Sequence, residues 1–149
     1  VAGGGLWGCL INTPIALYYM QGLNTTASHG HAALFGVYGM LGLGLVLYCM
    51  RGLTNPRIWN QRLLSIAFWC LNIGLAMMTF LSLLPQGLWQ TYVSFNENYA
   101  AARSAELMHH PIMEGLVWAR VPGDVVFAVG VGAFVLLAVK AFWGSRRRA

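Results

Sequence analysis

Two histidines placed two residues apart, His29 and His31, have the side chains best suited to chemistry in this sequence. They stand at the mouth of an apolar run that continues without a charged residue to Met50. An α-helix turns by about 100° per residue, so side chains at i and i+2 point about 200° apart, to nearly opposite sides. Imidazole is a common ligand of haem iron. One helix could therefore hold two haems, one on each side; the alternative is a hydrogen-bonded pair at the membrane interface.

Two further groups of residues are weaker candidates. His109 and His110 precede a proline in a polar stretch, a pattern that favours a solvated turn over metal binding. Trp118, Arg120 and Asp124 place an aromatic ring, a cation and a carboxylate where the last apolar run begins. Amphipathic headgroups lie at that depth in a membrane. The alternative for these three residues is a tryptophan anchor beside an Arg–Asp pair.

The composition indicates a membrane-embedded chain. Of its 149 residues, 58% are hydrophobic and only 9% are charged, whereas soluble domains carry roughly a quarter charged residues. Cys9, Cys49 and Cys70 each lie in an apolar stretch and form no C-x-x-C or haem-attachment motif. We interpret them as buried small hydrophobic residues.

Long uncharged runs predict an all-α, polytopic membrane helical bundle. Residues 28–50, 63–84 and 125–143 are each long enough to cross roughly 30 Å of hydrocarbon as a helix. The apolar run 6–20 is shorter and is interrupted at residues 12–14 by Asn-Thr-Pro. It predicts the end of a fourth helix followed by a break.

The stretch 86–123 is predicted to be a helical loop on the outer face of the membrane. Pro85 is expected to end the second span, because proline lacks the backbone N–H that a helix interior needs. Residues 94–97, Ser-Phe-Asn-Glu, fit a capping box that would start a helix through Leu107. Pro111 would end that helix and start another.

The charges predict which side of the membrane each end occupies. The outer-face loop together with Asp124 carries two arginines against four carboxylates, whereas the other connections are basic. The basic residues are Arg51, Arg57, Arg62, Lys140 and Arg146, Arg147 and Arg148. By the positive-inside rule, the C-terminus is predicted to be cytoplasmic. The final arginines are interpreted as a topology anchor, and no nucleic-acid partner is expected.

Residues 24–39, with the sequence NTTASHGHAALFGVYG, closely resemble the tenth helix of nitric oxide reductases, a branch of the haem–copper oxidase superfamily. The likeness continues through residues 12–14, 83–85 and 120–124, and is strongest to the single-chain, quinol-dependent type. It implies that His29 is the axial ligand of a high-spin haem b3 and that His31 ligates a low-spin haem b. Gly30 favours the nitric oxide reductase branch, because respiratory oxidases usually have an aromatic residue between these histidines.

The resemblance also implies a reaction. Two NO would be reduced to N2O and water with two electrons and two protons, in the cytoplasmic membrane of a bacterium or archaeon. Quinol would supply the electrons, with part of its pocket at Trp118 and Asp124; the alternative is a form that takes electrons from cytochrome c. An O2-reducing relative and a haem-free structural membrane subunit are the competing hypotheses.

The resemblance implies that some of the metal ligands of the family's active site lie outside this chain. The second ligand of haem b and the ligands of a non-haem iron belong to earlier helices of the family, so the chain alone is expected to be inactive. Its partners would be the remainder of the same catalytic subunit and the surrounding lipid bilayer. Residues 1–5 include no initiator Met and no basic flank, unlike a signal peptide. We therefore expect residues 1–149 to be the C-terminal part of one larger membrane domain.

Overall fold

The computed structural model of the protein describes residues 2–54 and 59–146, and within those ranges the side chains of residues 5–54 and 59–144. In these ranges the chain folds into helices joined by short turns and contains no β-strand, which confirms the all-α prediction. Arg57, Arg147 and Arg148, which the sequence places among the cytoplasmic charges, lie outside the described residues.

Within each of the two described ranges, the helical segments follow one another without long connections. In chain order they are α1 (Ala2–Ile11), α2 (Pro14–Met20), α3 (Asn24–Gly30), a π-helical segment (His31–Gly39), α4 (Met40–Leu53), α5 (Gln61–Met77), a second π-helical segment (Met78–Leu83), α6 (Leu84–Asn96), a 3-10 turn (Ala101–Arg103), α7 (Ala105–Met108), α8 (Pro111–Trp118) and α9 (Val121–Arg146).

Among the described residues, three stretches of helix are long and apolar enough to cross a membrane. The first span is Asn24–Leu53, the second is Gln61–Asn96, and the third is Pro111–Gly144. This confirms three spans in a multi-pass membrane protein, although each is longer than the predicted ranges 28–50, 63–84 and 125–143. The break predicted at residues 12–14 is also confirmed, because α1 ends at Ile11 and α2 begins at Pro14.

Pro85 does not end the second span, and that prediction is wrong. The helix continues from α5 through the π-helical segment Met78–Leu83 into α6. A π-helical turn is wider than an α-helical turn and shifts the backbone hydrogen bonds by one residue. Pro85 lies directly after this segment, in the first turn of α6, so its missing N–H coincides with the return from the π-helical to the α-helical hydrogen-bond pattern.

The predicted capping box at residues 94–97 is also wrong. Ser94 is buried inside α6, and Glu97 closes the C-terminus of that helix by donating its backbone N–H to Val93 O. The next α-helix begins later, at Ser104, whose side chain accepts a hydrogen bond from Leu107 N. The continuation of α6 through Asn96, with the Ser94 side chain buried, therefore outweighs the local capping signal.

The second and third spans pack backbone to backbone through glycines. A Cβ atom at Gly74 would lie 2.6 Å from Phe127 N, and a Cβ atom at Gly130 would lie 2.8 Å from Leu71 N. Such contacts leave no room for a side chain. Leu71 and Leu137 are buried beside them, so the core of the described chain lies between α5 and α9.

The first span and α1 are covered less completely by the described residues. The apolar window of the first span contains no buried residue. Cys9 and Cys49 are exposed and Cys70 is half-buried, so the prediction of buried cysteines is wrong. The Cys9 and Cys49 side chains are not covered by another described helix, whereas Cys70 lies beside Gly130 of α9.

Gly87 brings α6 against the start of α3, and its replacement tests this packing. A Cβ atom at Gly87 would collide with the backbone of Asn24 and Thr25. We expect Gly87→Ala to destabilise the full-length protein by about 1–3 kcal/mol, the usual cost of overpacking. The control is Gly115→Ala, where nothing described lies within 4 Å of the added atom. Thermal unfolding in detergent measures both, and an unchanged Gly87→Ala midpoint would contradict this packing.

Candidate functional site

His31 begins the first π-helical segment, and its two ring nitrogens have different neighbours. Nδ1 lies 2.9 Å from Ala27 O, one turn earlier in the same helix. A carbonyl oxygen only accepts, so Nδ1 carries the hydrogen and donates it. Nε2 lies 3.4 Å from Arg120 Nη2, and a guanidinium only donates, so Nε2 holds the lone pair. Both contacts therefore select the same tautomer of His31.

Arg120 links the first span to the third. It lies in the turn between α8 and α9, and its Nε donates to Asp124 Oδ1 at 3.1 Å. The same side chain reaches His31 across a sequence separation of 89 residues. Asp124, Arg120 and His31 therefore form one continuous polar chain at this end of the bundle.

Trp118 lies at the end of α8, two residues before Arg120. Its side chain is 73% exposed and makes no hydrogen bond or ring contact within the described part of the chain. The Asp124 carboxylate is half-exposed and paired with Arg120. The structure thus joins Asp124 to His31 through the Arg–Asp pair, whereas the Trp118 indole faces outward.

His29 faces α1 instead. A Cβ atom at Gly8 would lie 2.8 Å from His29 Cε1 and 3.3 Å from Nε2, so only glycine leaves room for this imidazole. The ring borders a cleft of about 480 Å³ that Gly8, Asn12 and Ala33 also line. His29 Nδ1 is buried and has no hydrogen-bond partner among the described residues.

The two histidines therefore point to different parts of the bundle. His29 lies against α1, and His31 lies against the start of α9. This confirms that the pair diverges, although the residues sit in the second turn and beyond rather than at the mouth of the helix, which begins at Asn24. Because the α-helix becomes a π-helix at His31, the 200° of a regular α-helix describes their divergence only roughly.

Sequence reasoning missed Gly8 and the link from Arg120 to His31. Arg120 is recognised from the sequence as the cation beside Trp118 and Asp124, but nothing in the local pattern connects it to His31. Gly8 is one of several glycines near the N-terminus, and only its approach to His29 distinguishes it. Both are long-range contacts without a spacing signal.

His109 and His110 have local roles. His110 Nδ1 accepts the backbone N–H of Ile112 at 3.3 Å and so caps α8, which begins with Pro111. Its ring also contacts Trp89 edge to face, with centroids 5.0 Å apart. His109 is largely exposed and lies 3.4 Å from Glu114. These contacts need no metal ion to explain them.

His29 and His31 each fit a single axial ligand of haem. Iron-ligating histidines usually donate their second ring N–H to a carbonyl or carboxylate, as His31 Nδ1 does to Ala27 O. Iron would then bind the Nε2 lone pair in place of the contact with Arg120. At His29 the fit rests on a buried ring nitrogen without a partner and on the adjoining cleft. Among the described residues, no three histidine, cysteine, aspartate or glutamate side chains converge as a site for a further metal ion.

Comparison with known families gives one match. A model of the family described as "Cytochrome C and Quinol oxidase polypeptide I" matches residues 1–126 of this chain. The match includes both histidines, Arg120 and Asp124.

The chain is also similar to a curated protein. The chain is 29% identical over 137 residues to a subunit of the nitric oxide reductase from Stutzerimonas stutzeri. The aligned region covers 89% of this chain but 28% of that relative. The chain therefore spans little more than a quarter of the length of this protein.

Proposed function

The chain belongs to the cytochrome c and quinol oxidase polypeptide I family, and from this premise we propose that it is the C-terminal part of the catalytic subunit of a nitric oxide reductase. The whole enzyme reduces two NO to N2O and water. The observation that carries the proposal is the divergence of His29 and His31 from one helix toward two separate environments. The likeness to the nitric oxide reductase of Stutzerimonas stutzeri supports this branch over an oxidase.

In this proposal each histidine holds one haem. His31 ligates haem b through Nε2, while its hydrogen bond to Ala27 O fixes the orientation of the ring. His29 ligates haem b3 on the α1 side, where Gly8 leaves space for the imidazole. The haems and a non-haem iron held by residues outside this chain supply the redox chemistry when bound. The protein's own contribution here is ligation and orientation.

Quinol is the proposed electron donor, and Trp118 and Asp124 form part of its pocket. The exposed indole offers a face on which a quinol ring can stack, and the half-exposed carboxylate can accept a hydroxyl proton. Arg120 contacts Asp124 at 3.1 Å and lies 3.4 Å from His31 Nε2, the nitrogen that would bind iron, so the guanidinium would give up its contact with His31 and keep its contact with Asp124 when haem b is bound. A cytochrome c donor is the alternative, and its c-type haem would sit on another chain.

The proposed setting is the cytoplasmic membrane of a bacterium or archaeon, with the C-terminus in the cytoplasm. The connection between the second and third spans carries Glu97, Arg103 and Glu106, and Glu114 follows in the first turn of the third span. Arg51, Arg62 and Lys140 lie at the other ends of the spans. This distribution supports the orientation, because basic residues concentrate on the cytoplasmic side.

Asp124→Asn tests the quinol pocket. We expect quinol-driven NO reduction by the full-length protein to slow roughly tenfold or more, because the amide cannot accept a proton. Turnover with an artificial donor that reduces the haem directly should remain near the wild-type rate. The matched control is Glu114→Gln, which removes another exposed outer-face carboxylate. Equal losses with both donors would count against the pocket.

The proposed activity is tested by presenting the purified full-length protein with NO and with O2 under the same reductant. We expect NO consumption with one N2O formed for every two NO, and slower O2 consumption. O2 reduction to water without N2O formation would favour an oxidase. An oxidase is the second candidate function because the description of the matched family names oxidases. A preparation without haem would favour a structural subunit instead.

A further inference from the structure

The second span carries a line of buried polar side chains that neither histidine uses. Successive members lie three or four residues apart, so they share one face of the helix. This polar strip consists of Thr79, Ser82, Gln86, Gln90 and Ser94, which are 8%, 0%, 4%, 5% and 3% exposed. Polar side chains are costly inside a membrane protein and usually have a partner or a function.

The middle of the polar strip is explained by packing. Gln86 Nε2 donates to Ser82 Oγ at 2.8 Å, and Gln86 Oε1 accepts from Asn24 Nδ2 at 2.8 Å. Gln90 Oε1 accepts from Asn24 N at 2.9 Å. These bonds attach the N-terminus of α3 to α6 and satisfy a backbone N–H that would otherwise be free.

The two ends of the polar strip are not explained in this way. Thr79 Oγ1 and Ser94 Oγ are buried and have no hydrogen-bond partner among the described residues. Leaving a buried hydroxyl unpaired is unfavourable, and packing alone would be served equally well by valine or alanine. Each orphaned hydroxyl therefore points to a hydrogen-bonding partner other than the described residues, and water is the smallest partner that each site can hold.

Each end of the polar strip opens into a cleft. Thr79 lines a cleft of about 250 Å³ together with Ser28 and Asn72. Ser28 directly precedes His29 in the sequence. Ser94 lines a cleft of about 750 Å³ at the outer-face end of the span, together with Glu97 and Tyr99. Both clefts are large enough for water. The first is mainly apolar and offers Ser28, Asn72 and Thr79 as polar groups, and the second offers Ser94, Glu97 and Tyr99.

We propose that the polar strip is a route for water and protons between these two clefts. A proton enters at the surface cleft, where the Glu97 carboxylate can accept it, and passes along water hydrogen-bonded to the strip. It leaves in the cleft lined by Ser28 and Thr79. The route itself is independent of the proposed function. The proposed use of the route is to supply the two protons that are consumed with two NO, and this use rests on the proposed function.

Substituted-cysteine accessibility tests the route without measuring NO reduction. Ser82→Cys and Leu83→Cys form a matched pair, because the two neighbouring residues are 0% and 6% exposed. Each is made in the full-length protein with Cys9, Cys49, Cys70 and any other cysteine replaced, and is treated with 2-aminoethyl methanethiosulfonate. We expect Ser82→Cys to react roughly tenfold faster than Leu83→Cys, because only a hydrated thiol ionises and reacts.

A second pair keeps the test decisive if a variant at residue 82 or 83 fails to fold. Thr79→Cys and Met78→Cys replace residues that are 8% and 5% exposed, and Thr79→Cys should again react faster. Equal or absent reactivity within each folded pair would overturn the route and leave the polar strip as a packing device. This result would not affect the NO assay, so the two proposals can fail separately.

Discussion

Replacing His31 with alanine in the full-length protein is expected to reduce quinol-driven NO reduction by roughly a hundredfold or more, because a lost iron ligand costs at least as much as a lost supporting hydrogen bond. His31 is the residue through which this chain would hold haem b, and Arg120 cannot replace it because a guanidinium has no lone pair to donate to iron. The measurement is the initial rate of NO consumption with quinol as donor.

The fold should survive this replacement. Among the described residues, the ring of His31 bonds only to Ala27 O in its own helix and to Arg120, which keeps its ion pair with Asp124. His109→Ala is the matched control, because that side chain is 80% exposed and lies outside the spans. Near-normal quinol turnover in a folded His31→Ala protein would exclude the assigned role.

His29→Ala is expected to have an equally large effect on NO reduction but a different effect on electron entry. The variant loses the proposed ligand of haem b3, whereas the His31–Arg120–Asp124 chain lies on the other side of the helix and is untouched. Quinol should therefore still reduce one haem rapidly in a stopped-flow experiment, while steady-state NO consumption falls roughly a hundredfold or more.

Gly8→Ala supplies a graded companion to His29→Ala. It retains the imidazole but adds a methyl group 2.8 Å from Cε1, so the ring must move. An intermediate loss of NO reduction is expected. If Gly8→Ala and His29→Ala both retained full activity, the α1 side of the helix would not hold the reactive haem.

The sequence predicts most of the membrane architecture, because long uncharged runs have few alternatives. The predictions at Pro85 and Ser94 fail for physical reasons. Each prediction uses a rule about neighbouring residues, the helix-ending effect of proline or the capping box, and each fails because of the surrounding helix structure. At Pro85 this is the wide turn of a π-helical segment, and at Ser94 it is the continuation of α6 through Asn96, which buries the Ser94 side chain.

The candidate site is only partly predictable. The spacing of His29 and His31 predicts that they diverge, because helical geometry is local. What each one faces depends on Gly8 and Arg120, which lie 21 residues before His29 and 89 residues after His31. Contacts at such separations have no periodic signature, so they emerge only from the assembled bundle. The same holds for the polar strip, whose members are recognised once their burial is known.

One helix of this chain is proposed to supply one ligand to each of two different haems. Carbon monoxide binding by the dithionite-reduced full-length His29→Ala and His31→Ala proteins, followed by difference spectroscopy, tests this directly, because carbon monoxide binds a haem iron with an open position. We expect His29→Ala to lose the carbon monoxide-binding haem and to keep the low-spin band. We expect the reverse for His31→Ala. Two variants that retain both signals, or that lose the same one, would contradict the assignment of one haem to each histidine.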